Sequence, residues 1–133
     1  MKNLAGKRLV RAAVKAAGAS YSPYSRFPVG AALLAGNGKV FTGCNVENAS
    51  YGLTICAERV ALLKAVSAGC RTFKALAVAG GKGRAARPCG ACLQVLAEFC
   101  SPDFPLCLVS LDHADDIERI PLGELLPQTF SLK

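Results

Sequence analysis

Thr54-Ile55-Cys56-Ala57-Glu58-Arg59 and Pro88-Cys89-Gly90-Ala91-Cys92 decide how this chain is read, because each opens a helix. After the first, Ala57, Val60, Ala61, Leu62, Leu63, Ala65 and Val66 make residues 55–68 apolar almost all round. That is the pattern of a buried helix, and Gly69 ends it. After the second, Leu93, Val95, Leu96 and Phe99 give a helix over 89–99, which Ser101-Pro102 breaks.

Strand-length apolar runs surround these helices. Val29 to Ala35 and Val40 to Val46 flank Gly36-Asn37-Gly38, a hairpin signal, so this pair is antiparallel. Phe73 to Ala79 is a third run, followed by the loop Gly80-Gly81-Lys82-Gly83-Arg84. Leu106 to Leu111 is a fourth, Asp112 to Asp116 a polar turn, and Ile117 to Ile120 a short fifth. Pro121 starts a last helical turn, Leu122 to Leu126, which Pro127 ends. At the other end, residues 3–18 place Leu4, Val10, Ala13, Val14 and Ala17 on one helical face, with Gly18 as the stop. Ser22-Pro23-Tyr24-Ser25-Arg26-Phe27-Pro28 is extended loop; Tyr24 and Phe27 either pack over that first helix or line a ligand pocket. The helices between the second and third strands and between the third and fourth are the connections that parallel neighbours need. The prediction is one domain over residues 1–133: a three-layer α/β fold with a mixed five-stranded sheet and helices on both faces.

Composition narrows the class. A 133-residue chain with 52 % hydrophobic and 19 % charged residues buries a real core and is not disordered. The basic N-terminus is followed by no uninterrupted apolar stretch, and no run approaches the roughly 18 residues of a membrane span. A soluble cytoplasmic protein without a membrane partner is expected. The net charge of +7 is spread out. Lys7, Arg11 and Lys15 make a helical stripe, and Lys82, Arg84 and Arg87 sit in a Gly-rich loop. A solvated face and loop is the preferred meaning, contact with nucleic acid the lesser one. Seven cysteines, an odd number without a secretion signal, argue against a disulfide framework. Cys44, Cys70, Cys100 and Cys107 are expected as buried thiols.

The other three cysteines carry chemistry. Cys89 and Cys92 lie three apart at a helix start and share a face. A helix N-terminus lowers thiol pKa values, and Cys56 brings a third thiolate from the other helix start. Three protein ligands with an open fourth position is the arrangement of a catalytic zinc. Glu58 follows Cys56 by two positions, and at a first turn both side chains lean toward the helix end. A lone Cys-x-x-Cys also fits a redox pair or half of a structural zinc site; a structural site has no use for a carboxylate beside an open position. His113, in its polar turn, is expected as a solvated residue rather than a ligand.

At this point the chain resembles the cytidine deaminases of the small homotetrameric class. The resemblance runs through Ser22-Pro23-Tyr24-Ser25-Arg26-Phe27, Val29-Gly30-Ala31-Ala32, Gly43-Cys44-Asn45-Val46-Glu47-Asn48-Ala49, Cys56-Ala57-Glu58-Arg59, Pro88-Cys89-Gly90-Ala91-Cys92 and Glu124-Leu125-Leu126-Pro127. Cys-ligated zinc with a non-ligand Glu is a known deaminase pattern. The resemblance implies one Zn²⁺ per subunit on Cys56, Cys89 and Cys92, with Glu58 as the proton shuttle. It implies that Asn45 and Glu47 hold the ribose hydroxyls, that Ala57 and adjacent backbone read the pyrimidine edge, and that Phe27 stacks near the base. Phe130 would reach a neighbouring subunit's site in a homotetramer that shares its sites. Arg59 would donate to the cysteine sulfurs, offsetting the net −1 of three thiolates and Zn²⁺. The implied reaction is hydrolytic deamination of cytidine and 2′-deoxycytidine in pyrimidine salvage. Action on a nucleoside antibiotic or a nucleic-acid cytosine, and a zinc module without catalysis, are the alternatives. Leu93, where the family usually has arginine, and Val60, where threonine is common, are departures that bear on contacts around the ligand helices.

Overall fold

The computed structural model describes residues 2–133, with side chains from residue 6 onward. The elements run α1 (Lys2–Ala17), β1 (Val29–Ala35), β2 (Val40–Cys44), a short 3-10 turn (Tyr51–Leu53), α2 (Ala57–Ser67), β3 (Phe73–Gly80), α3 (Gly90–Ala97), β4 (Pro105–Val109), β5 (Glu118–Pro121) and α4 (Leu122–Leu125). The sheet order is β2-β1-β3-β4-β5. Among the described strands, only the β3–β4 pair is parallel. β2 and β3 do point the same way, as the helical connection demands, but they are not neighbours: β1 lies between them, antiparallel to both.

Alternation along the strands divides the core into two layers. Ala31, Leu33, Leu76, Val78, Leu106 and Leu108 pack with α2 and α3. Ala32, Ala77, Ala79, Cys107 and Val109 pack with Leu9, Val10 and Ala13 of α1. The α1 side is lined by small residues, so that helix lies close. A Cβ on Gly30 would stand 2.0 Å from the Ala13 carbonyl oxygen. Leu4 of the predicted apolar face lies outside the described side chains; Leu9, which the pattern omitted, is buried. The exposed stripe Lys7, Arg11 and Lys15 is therefore across the sheet from α2 and α3.

Some sequence expectations shift. β2 stops at Cys44; Val46 instead makes isolated bridges to Tyr21 and Ile55. β4 begins at Pro105 and ends at Val109, short of Leu111. α2 is not buried all round: Leu63 is 52 % exposed. It joins Phe41, Val46, Ile55 and Val60 along an open apolar groove. All seven cysteines are free, but Cys44, Cys70 and Cys100 are half-buried rather than buried. Among the described residues, no helix is long and apolar enough to cross a membrane.

Candidate active site

The site forms where β2 and β3 end and α2 and α3 begin. Cys56 and Cys89 occupy the same position, the N-cap, in extended conformation with ψ 155° and 165°. Neither side chain caps its helix, so both sulfurs are free to point beyond the helix end toward the positive ends of two dipoles. Cys92, on the first turn of α3, is buried. The Cys56 and Cys89 sulfurs are 3.9 Å apart, and those of Cys89 and Cys92 are 3.5 Å apart. All three lie within 4.8 Å of one another. Sulfurs about 2.3 Å from a tetrahedral zinc stand about 3.8 Å from each other, so the trio fits that ion.

Arg59, in the first turn of α2, sends Nη2 to the Cys56 sulfur at 3.4 Å. Its Nε is buried without a hydrogen-bond partner among the described residues. A guanidinium turned onto sulfurs suits a cluster that carries excess negative charge. The Cys56 thiol is drawn down to about 5, chiefly by the neighbouring Cys92 thiol and then by Arg59. Cys92 is pushed up by the same partnership and by burial.

Glu58 is 4 % exposed and lines the cleft in front of the sulfurs. Burial lifts its pKa to about 7, and the neighbouring Cys56 thiolate adds to the rise. Gly43 allows this placement. A Cβ there would lie 2.6 Å from both Ala57 O and Ala61 N, so β2 touches the first turn of α2 directly.

The cleft holds about 320 Å³ and is lined by Phe27, Asn45, Glu47, Cys56, Ala57, Glu58 and Cys89, with Ser25, Thr54, Val78, Ala86 and Arg87. That is the lower end of the range for small-molecule sites. Asn45 and Glu47 are stitched in by backbone bonds on both sides: Tyr21 N to Asn45 O, Glu47 N to Tyr21 O, and Val46 paired with Ile55. Their side chains are largely engaged. Asn45 Oδ1 accepts from Val29 N at 3.0 Å and from the Ser20 hydroxyl, while Nδ2 donates to Phe27 O at 2.8 Å. Glu47 Oε1 accepts from Tyr24 N at 2.9 Å and Ser25 N at 3.1 Å, and Oε2 from the Ser25 hydroxyl. Tyr24 meets Tyr51 edge-on with ring centres 6.1 Å apart, and the two line a neighbouring pocket with Glu47.

Phe130 does not line this chain's own cleft. Its ring is 71 % exposed, while its backbone is held by Gln94 of α3 through bonds of 3.1 and 2.9 Å. Leu93 enters the core below α3, and Val60 lines the outer groove. His113 is exposed and no part of the sulfur cluster. Arg87 lines the cleft although the sequence shows it only as one of several loop cations. Its position two residues before Cys89 was the available signal.

Residues 5–108 match the family model of the cytidine and deoxycytidylate deaminase zinc-binding region. A cytidine deaminase of Sporosarcina psychrophila is 50 % identical over 94 % of this chain and 90 % of its own length. One of Halalkalibacterium halodurans is 51 % identical over 92 % of each chain. The crystal structure of cytidine deaminase from Burkholderia pseudomallei superposes with a TM-score of 0.87 at 48 % identity, covering 92 % of this chain and 97 % of that one.

Proposed function

The chain belongs to the cytidine and deoxycytidylate deaminase family, and we propose that within it Cys56, Cys89 and Cys92 hold the zinc while Glu58 moves the protons. The protein is a zinc-dependent hydrolase that deaminates cytidine. When bound at the three sulfurs, zinc supplies the Lewis acidity that lowers the pKa of a water from 15.7 to about 7. Glu58 accepts a proton from the attacking water and delivers it to N3 of the base. It then carries the water's second proton, now on the C4 hydroxyl, to the departing amine, so that uridine and ammonia leave in balance. A carboxyl lifted to about 7 serves as both base and acid near neutrality. Its placement, buried in the cleft that Cys56 and Cys89 also line, carries the assignment of Glu58.

The substrate contacts follow from unused hydrogen-bonding capacity. Asn45 retains one N–H after donating to Phe27 O, and Glu47 Oε2 retains a free lone pair beside the Ser25 hydroxyl. A donor next to an anionic acceptor is what a ribose hydroxyl requires, since it accepts from one and donates to the other. Phe27 flanks the base and Ala57 backbone borders its edge. The basic stripe of α1 lies across the sheet from the cleft, which favours a free nucleoside over a nucleic acid. The proposal extends to 2′-deoxycytidine, to a role in pyrimidine salvage, and to the cytoplasm, whose reducing conditions suit seven free cysteines. It also includes a homotetramer with shared sites: the groove along Phe41, Ile55, Val60 and Leu63 supports burial against another copy, and the outward ring of Phe130 supports a site completed by a neighbour. Ultraviolet assay of zinc-loaded protein on cytidine, deoxycytidine and a short cytosine-containing RNA tests the substrate. Turnover of both nucleosides and not of the RNA is expected; RNA turnover without nucleoside turnover would overturn it.

A further inference from the structure

We infer that the ion pair between Arg87 and Glu118 clamps the segment that carries Cys89, and so sets how firmly the metal is held. The inference rests on Cys89 being a ligand. Arg87 Nη1 meets Glu118 Oε1 at 2.6 Å and Nη2 meets Oε2 at 2.8 Å, a two-pronged fork. Arg87 lines the metal cleft, whereas Glu118 lines a separate polar cleft with Arg84 and His113. The pair is therefore the wall between the two.

The backbone explains why such a tie matters here. Gly81 and Gly83 adopt positive φ of 84° and 72° as the chain turns away from β3. The turn is held by Leu111 N to Gly81 O at 2.8 Å, Gly83 N to Asp112 Oδ1 at 2.9 Å and Ala86 N to Gly80 O at 3.0 Å. Between Ala86 and Cys89 no such backbone tie is made among the described residues, and Pro88 has no N–H to offer one. The Arg87 fork is the one side-chain tie of residues 84–88 among the described residues. Its other end is fixed: Glu118 opens β5 and stands opposite Leu108 of β4 in the sheet register.

An ordinary half-exposed ion pair contributes about 0–1 kcal/mol to stability and is screened by salt. As a clamp, its effect falls on the metal rather than on the fold. Groups that orient metal ligands typically change affinity by about 10–100-fold. Glu118 is the residue to vary, since Arg87 borders the substrate space and its loss disturbs KM directly.

Zinc-loaded wild type, Glu118→Gln and Glu118→Leu are challenged with a chelating dye at low ionic strength. Glu118→Leu is expected to release zinc about tenfold faster, the lower end of that range. Glu118→Gln, which keeps one acceptor, falls between and carries the test should the leucine variant fail to fold. Melting temperatures stay close to wild type, and about 1 M salt narrows the gap between variants because the screening length is then about 3 Å. Equal release rates in the three proteins overturn the clamp, as does faster release that is independent of salt and accompanied by a lowered melting temperature. A wild-type protein that holds no zinc overturns instead the assignment of the ligands.

Discussion

The two helix starts that meet at the site share a residue and a backbone conformation but are built to opposite rules. α2 begins inside the protein. Ala57 is fully buried, Glu58 nearly so, and Gly43 of β2 presses against the first turn. α3 begins at the surface: Cys89, Gly90 and Ala91 are exposed, and a Cβ on Gly90 would meet nothing within 4 Å. On the proposed assignment of the site, the difference separates two tasks. Proton transfer needs a carboxyl removed from water, and only the packed start provides one. Substrate access needs one open side, and the exposed start leaves it.

The largest expected effects test that division. Glu58→Gln keeps the volume and removes the ionisable group from the packed start. Activity should fall by about 10²–10⁴-fold, the usual share of general acid–base help, with zinc content unchanged. Cys89→Ala at the open start should lose the metal, and turnover with it. Elemental analysis beside the cytidine assay separates the two. An active, zinc-loaded Glu58→Gln protein, or a fully zinc-loaded Cys89→Ala protein, breaks the comparison.

The glycines probe the same contrast through stability. Gly43→Ala forces a methyl against Ala57 O and Ala61 N, both backbone atoms that cannot swing away. Overpacking of this kind costs about 1–3 kcal/mol, which lowers the melting temperature by several degrees. Gly90→Ala adds its methyl to open space in a helix. It should leave the melting temperature unchanged or raise it, since glycine in a helix is disfavoured by about 0.5–1 kcal/mol. Thermal unfolding of the two variants side by side decides. Equal losses would mean that the α3 start is packed after all.

Local pattern carried much of this in the sequence. The hairpin at Gly36-Asn37-Gly38 forms with Leu34 opposite Val40, and both thiol-bearing helix starts lie within two residues of their predicted positions. What the sequence hid depends on partners far along the chain. A helical connection fixes the direction of the next strand but not whether it skips a neighbour, so the insertion of β1 between β2 and β3 was not legible. The outward exposure of Leu63 was hidden for a similar reason: periodicity shows that a face is apolar, not what covers it. Asn45 and Glu47 stood out as polar residues near a strand end. Their bonds to Val29, Tyr24 and Ser25 bridge 16 to 23 positions, and no local motif encodes them. Arg87 looked like its neighbours in a basic loop until the fold brought Glu118 beside it.

The smallest expected effect concerns the cleft's second carboxylate, which its surroundings push the other way. Glu58 is raised chiefly because burial removes water, a loss that its own backbone N–H offsets only in part. Glu47 is lowered, first by the Ser25 hydroxyl and then by the backbone N–H groups of Ser25 and Tyr24. Its folded pKa therefore lies below its unfolded one. The sign follows: its contribution to holding the loop is complete above the unfolded value of about 4.3 and is lost as pH falls through the folded pKa. Carboxyl-carbon NMR should show Glu47 titrating below the ordinary glutamate range, with the Tyr24 and Ser25 amide signals following the same curve. Ser25→Ala should move that curve upward without moving Glu58. A Glu47 that titrates as a free side chain would leave its three hydrogen bonds without energetic consequence, and with them the placement of a ribose acceptor at the rim. Two carboxyl groups in one cleft, one kept anionic by donors and one kept protonatable by burial, would on the proposed reading give binding and proton transfer from the same side-chain type.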